Sequence, residues 1–139
     1  MQAPKQSILV IDDDPRLLEL LQRVLRLHGS DWEVTGASNG REALGFVRER
    51  AFDLVITDIH MPDKDGLETI REVRRAQPSA KIMAMSGGGP WQGCDFLRIA
   101  QVLGAHAVIE KPFELEKLVA TIGNLLATTA DGDRVTERA

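Results

Sequence analysis

Four apolar runs in this chain stop at residues that could do chemistry. Ile8-Leu-Val-Ile11 ends at Asp12-Asp13-Asp14, and Phe52-Asp-Leu-Val-Ile-Thr57 ends at Asp58. Lys81-Ile-Met-Ala-Met85 ends at Ser86, and Ala107-Val-Ile-Glu110 ends at Lys111-Pro112. A short continuous run of Val, Ile and Leu reads as a strand buried on both faces, so each polar group is held at a strand's carboxyl end. Crowded carboxylates repel, and without compensation at least one would take up a proton. A hard divalent cation resolves this, because magnesium takes oxygen ligands, keeps several waters and uses one or two carboxylates plus phosphate oxygens. One aspartate then stays ionised and can attack phosphorus, as carboxylates do when they form acyl phosphates. Lys111 offers a compact positive charge for a phosphoryl oxygen, and Ser86 offers a hydroxyl donor. Gly87, the first of Gly87-Gly-Gly89, can expose its backbone N–H or flex.

Each residue taken singly has a plainer reading. Asp14 before Pro15 is a helix N-cap followed by proline at the first helical position. Asp63 and Asp65 read as turn formers in Pro62-Asp-Lys-Asp-Gly66. A lone Lys111 would be a solvated charge and a lone Ser86 a cap. The weight lies in the ensemble of complementary groups at four strand ends.

The elements that must hold this ensemble alternate along the chain. Strands are expected at Ile8–Ile11, Glu33–Ala37, Phe52–Thr57, Lys81–Met85 and Ala107–Glu110. Between them, a first helix follows Pro15, with Leu17, Leu21, Val24, Leu25 and His28 on one face and Gly29 at its end. A second is expected over about 40–50, a third over 67–76 and a fourth over about 95–103, stopped by Gly104. A fifth runs from about Glu114 to Ala127 with Leu115, Leu118, Val119, Ile122, Leu125 and Leu126 inward. Five strands alternating with five helices call for an α/β, doubly wound parallel sheet. In such sheets the ligand sits outside the carboxyl ends of the strands, where strand order reverses. After Ala127 the periodicity stops, so 7–127 reads as one domain and 128–139 as a disordered tail.

Composition narrows the function classes. The chain has 139 residues, a formal net charge of −4 and 43% hydrophobic residues, which suits one globular domain. A net acidic chain lacks the basic face that phosphate backbones require. Cys94 is the single cysteine, which excludes a disulfide framework and a cysteine-based metal site. No apolar run approaches bilayer length, and Met1–Ser7 leads straight into a strand without a signal-peptide core. A cytoplasmic protein with no membrane partner is the expectation.

The set Ile8-Leu-Val-Ile-Asp-Asp-Asp-Pro15, Asp58-Ile-His-Met-Pro-Asp-Lys-Asp-Gly66, Met85-Ser86-Gly87, Gly104-Ala105 and Lys111-Pro-Phe113 resembles the receiver domain of two-component response regulators. The match spans about residues 7–127, with each piece in the family's order and spacing. The resemblance implies the flavodoxin-like strand order 2-1-3-4-5. It implies that Asp58 is the phosphoacceptor, taking a phosphoryl group from a sensor histidine kinase or a phosphotransfer protein. Asp12 and Asp13 would hold magnesium (or manganese) together with Asp58 and the backbone carbonyl of His60. Ser86 would be the switch hydroxyl, with Gly87 beside it, and Lys111 would pair with the phosphoryl group. A downstream protein would read the surface of the fourth helix, fifth strand and fifth helix by population shift. Such a domain is a phosphoacceptor, not an enzyme beyond its own phosphorylation and slow dephosphorylation.

This chain departs from the family pattern in places. Val108 stands where the family carries Tyr, Phe or His, so the resemblance implies signalling through loop and helix shifts instead of an aromatic rotamer. The loop after Ser86 is rich in glycine, with Pro90 and Trp91 next, and His60 follows the phosphoacceptor by two residues. Only twelve residues follow Ala127, which leads to the expectation of a stand-alone receiver without DNA binding, or of a receiver cut from a longer protein. Two rival readings are a docking module that is never phosphorylated and a phosphatase of the haloacid dehalogenase type. The latter would use Asp12 of Asp12-x-Asp14 as nucleophile, against the presence of Pro15 and Arg16 and the lack of room for a cap.

Overall fold

The computed structural model describes residues 5–28, 31–59, 66–87, 102–127 and 137–138. Its elements run β1 (Gln6–Ile11), α1 (Pro15–His28), β2 (Trp32–Ala37), α2 (Gly40–Glu49), β3 (Leu54–Asp58), α3 (Gly66–Ala76), β4 (Lys81–Ser86), β5 (Ala107–Glu110), α4 (Leu115–Ala127) and β6 (Glu137–Arg138). The strands form one parallel sheet in the order β2-β1-β3-β4-β5-β6. The expected order 2-1-3-4-5 is therefore present, with a sixth, two-residue strand added at the β5 edge. That strand lies in the segment expected to be a disordered tail, and the rest of 128–139 falls outside the described residues.

The apolar strands are buried on both faces, as their composition requires. Side chains alternate across a strand, and the core divides accordingly. Leu9 and Ile11 join Val55, Ile82 and Val108 against α2 and α3, through Leu44, Val47, Ile70 and Val73. Ile8 and Val10 join Ile56, Met83 and Ile109 against α1 and α4, through Leu21, Leu25, Leu118 and Ile122.

Caps set the helix starts. The Asp14 carboxylate accepts from Arg16 N at 3.0 Å and, less closely, from Leu17 N at 3.5 Å. Asn39 accepts from Glu42 N at 2.8 Å and opens α2. Two residues expected on inward faces point outward. His28, in the last turn of α1, is exposed, and Leu115, in the first turn of α4, retains 36% of its surface. Both lie at helix termini. The expected fourth helix lies outside the described residues except at its end, where Val102 and Leu103 are helical and Gly104 takes φ 77. That left-handed turn is the one at which glycine carries least strain.

In strand order the chain passes from β1 outward to β2 and returns to β3. The crevice of a doubly wound sheet thus opens at the carboxyl ends of β1 and β3, where Asp12 and Asp58 lie.

Candidate phosphoryl and metal site

Two strands extend further than the apolar runs indicate, and the difference fixes the site. Asp58 is the last residue of β3, paired with Met85, and Ser86 is the last residue of β4, paired with Glu110. Both are held in the ladder itself, not in the loops that follow. Ile59 N continues the ladder by donating to Met85 O at 2.9 Å, and Lys111 N does the same to Ser86 O at 2.6 Å. The ends of β3, β4 and β5 are therefore tied in register at the positions that carry the polar groups.

Asp12, directly after β1, is fully buried, and both its carboxylate oxygens are engaged. Oδ1 accepts from Asp14 N at 2.9 Å, and Oδ2 accepts from Lys111 Nζ at 2.8 Å. Lys111 Nζ also donates to Asp58 Oδ2 at 3.2 Å, so one ammonium bridges carboxylates from two strands. Asp13 is exposed beside them, and carboxylate oxygens of Asp12, Asp13 and Asp58 all lie within 4.8 Å of one another.

The charges do not balance. Burial favours the neutral amine of Lys111, but the hydrogen bond to Asp12 and the charges of Asp58 and Asp12 outweigh it and raise its pKa above 10.5. Lys111 is thus held as a cation. Among the described residues, one ammonium against three carboxylates leaves a local excess of negative charge. An all-oxygen cluster with one solvent-facing member fits a hard divalent ion that keeps part of its water shell.

A second unspent group lies at the same edge. Ser86 retains 1% of its surface, and its Oγ has no hydrogen-bond partner among the described residues. Buried hydroxyls are nearly always paired, so this one is an exception at the strand end. Gly87 is required by what it faces, since a Cβ there would stand 2.7 Å from Lys111 Cβ and 3.1 Å from Lys111 O. Its role is steric clearance for the lysine, which no spacing in the sequence reveals. The expected carbonyl ligand at His60 lies outside the described residues.

Asp12, Asp13, Asp58 and Lys111 thus form one connected group, with Ser86 and Gly87 on the neighbouring strand end. The arrangement can hold a divalent cation, neutralise a phosphoryl group and present Asp58 to it. Asp58 keeps 10% of its side-chain surface where Asp12 keeps none, so of the two carboxylates bonded to Lys111 it is the more accessible.

Comparison with known proteins identifies the family. A family model described as the response regulator receiver domain matches residues 8–123. The chain is 37% identical to the transcriptional regulatory protein ZraR of Klebsiella oxytoca over 93% of its own length and 28% of that protein. It is 35% identical to the response regulator MprA of Mycolicibacterium vanbaalenii, over 95% of this chain and 55% of that one. These curated relatives are thus considerably longer than this chain. Among solved structures, a response regulator receiver domain protein from Clostridium thermocellum superposes with a TM-score of 0.76 at 31% identity, over 87% of this chain and 94% of that one.

Proposed function

We infer that this chain, which belongs to the response regulator receiver domain family, signals by carrying a phosphoryl group on Asp58. The observation that carries this reading is the bridge from Lys111 Nζ to Asp12 at 2.8 Å and Asp58 at 3.2 Å, next to exposed Asp13. One fixed cation and an excess of carboxylate among the described residues around the partly exposed Asp58 support this reading.

In the reaction an Asp58 carboxylate oxygen attacks phosphorus in line with the leaving group. With a phosphohistidine donor, from a sensor histidine kinase or a phosphotransfer protein, the P–N bond breaks and its electron pair stays on the imidazole. Asp12 and Asp13, with Asp58 itself, would hold magnesium or manganese. That ion, when bound, supplies charge neutralisation for the phosphoryl oxygens. Asp12 serves as an orienting anchor, because its two oxygens are already committed to Asp14 N and Lys111 Nζ. Lys111 can turn from Asp58 toward a phosphoryl oxygen while keeping its shorter bond to Asp12. The unpartnered Ser86 hydroxyl is suited to donate to another phosphoryl oxygen, and that pairing would favour a second arrangement of the loop after β4.

The consequence is signalling through protein contacts, with β5 and α4 forming part of the surface that a downstream protein reads. The phosphatase alternative needs Asp12 as nucleophile. Its complete burial and doubly engaged carboxylate disfavour that role, as does the use of Asp14 to cap α1. No described helix is long and apolar enough to cross a membrane.

Beryllofluoride, which mimics an aspartyl phosphate, tests the site without turnover. Fluorine NMR should show a magnesium-dependent bound signal in the parent chain, lost in Asp58→Asn and weakened in Lys111→Met. A bound signal that persists in Asp58→Asn would place the acceptor elsewhere. Absence of any bound signal would favour the phosphorylation-independent docking module.

A further inference from the structure

The start of β5 is held by a bond that a proton can break, and the proposed function does not use it. In a parallel ladder the N–H and C=O of one residue bond to main-chain groups two positions apart on the next strand. Ile82 O follows this rule, accepting from His106 N at 2.7 Å just before the first paired position, Met83 with Ala107. By the same rule Ile82 N would donate to Gly104 O. Gly104 instead takes φ 77, and its carbonyl accepts from Arg74 Nη1 at 2.7 Å. A side chain takes the place of that carbonyl, since Ile82 N donates to His106 Nδ1 at 3.1 Å. An imidazole nitrogen that accepts a bond carries no proton, so His106 is held neutral with its proton on Nε2. We propose that His106 is a pH-sensitive clasp between β4 and β5, closed while its imidazole is neutral and opened by protonation at Nδ1.

Protonation turns the acceptor into a donor that faces the Ile82 N–H. Both donors then lack a partner where little water reaches, because His106 keeps 7% of its surface and Ile82, Ala105 and Ala107 keep none. The charged groups on the surrounding elements do not offset this. Arg74 of α3 lies against Gly104, and Lys81, buried at the start of β4, directly precedes Ile82. Both are cations, and neither favours a third. The Asp53 carboxylate, before β3, accepts from Ser7 N, and Glu72 of α3 lines a cleft with Leu44 and Arg48 of α2. α4 has no charged residue after Lys117. β6 brings Glu137 and Arg138, one of each sign, into register with Ala107 and Val108.

The proton therefore goes to the opened clasp, where the imidazole binds it at histidine's ordinary value of about 6.5. Each pH unit below that value multiplies the open population by roughly ten, which gives about thirtyfold at pH 5 relative to pH 7.5. The clasp contributes stability that is fully present above about 6.5 and is lost as pH falls. What opens is the turn at Gly104 and the first step of β5. Acid thus loosens one end of the strand whose other end leads into Lys111.

The decisive experiment is NMR on the full, metal-free chain without a phosphoryl reagent, so the outcome is independent of the role assigned to Asp58. At about pH 7.5 the imidazole nitrogen signals of His106 should show a bare Nδ1 and a protonated Nε2. Between about pH 7.5 and pH 5 the protection factor of the Ile82 amide, corrected for intrinsic exchange, should fall at least about tenfold. Val10 in β1 and Ile56 in β3 should hold theirs within about threefold and report an intact fold. His106→Asn sets a non-titrating amide oxygen near the position of Nδ1 and should keep Ile82 protected across the same range. A proton on Nδ1 at neutral pH would overturn the proposal, as would unchanged Ile82 protection in the parent or an equal fall at Val10 and Ile56. An equal fall in folded His106→Asn would overturn it too. If that variant does not fold, the parent's tautomer and the contrast between Ile82 and Ile56 decide alone.

Discussion

At the amino-terminal edge of the sheet, Gln77 accepts from Phe52 N at 2.7 Å and donates to Val47 O at 2.9 Å and Arg50 O at 2.7 Å. Close by, Ser7 and Asp53 exchange two bonds of 2.8 Å, and His106 Nδ1 accepts from Ile82 N at 3.1 Å. The carboxyl-terminal edge of the same strands is built differently. There the Lys111 ammonium bridges Asp12 and Asp58 with Asp13 beside them, and Ser86 Oγ has no partner among the described residues. The first edge uses mostly uncharged groups whose bonds close on the protein itself. The second gathers charge that the described residues only partly neutralise. Polar groups spent on the backbone fasten loops, whereas groups left with unspent charge or an unspent hydrogen bond await something from outside.

The contrast can be broken most forcibly at Gln77. Gln77→Ala removes three bonds to the backbone and leaves Phe52 N unpaired, which should cost about 2–4 kcal/mol in urea unfolding. Phosphorylation of the folded protein should proceed at the parent rate. A large loss of phosphorylation at unchanged stability would erase the distinction between the edges.

Magnesium should act only at the other edge. At about one hundred times its dissociation constant it should stabilise the parent by roughly 2.7 kcal/mol, because it binds the folded chain alone. Asp13→Asn should remove most of that gain in thermal unfolding with and without the ion.

Ser86→Ala sharpens the contrast further. Since the hydroxyl has no partner, its loss should leave resting stability within about 1 kcal/mol of the parent or raise it slightly. Accumulation of the phosphorylated form should fall nonetheless. A clear destabilisation would mean that the hydroxyl is used at rest.

The bridge at Lys111 gives a pH test in metal-free buffer. Its pKa is raised in the folded chain, so the bridge contributes stability that is fully present below 10.5 and lost as pH climbs through the folded value. Between neutrality and that range the parent should therefore lose more stability than Lys111→Met. The smallest effect belongs to Gly45, exposed within α2, where an added Cβ meets nothing within 4 Å. Gly45→Ala should stabilise by about 0.5–1 kcal/mol with no change at either edge.

The carboxyl-terminal edge was the more legible of the two in the sequence. Val, Ile and Leu runs that stop at Asp12, Asp58, Ser86 and Lys111 locate it, because burial on both faces leaves a clear signature. Where each run stops as a strand was less legible. A ladder includes polar residues such as Asp58 and Ser86 whenever their backbone partners exist, and those partners lie on other strands. The opposite edge left little trace. Gln77 before Pro78 and His106 after Ala105 are single polar residues, and only the fold reveals which distant amides they meet. Gly87 was noted for its backbone freedom, while its contact with Lys111 depends on two strand ends meeting. The β6 segment has no apolar alternation, and pairing over two residues is set by chain path, not by pattern.

The central claim is that Asp58 takes up phosphate, and intact mass tests it most directly. The pure chain and an Asp58→Asn variant would each be treated with acetyl phosphate, with and without magnesium. A single added phosphoryl in the parent, absent without magnesium and absent in the variant, is the predicted result. An adduct of the same mass on Asp58→Asn would contradict the account.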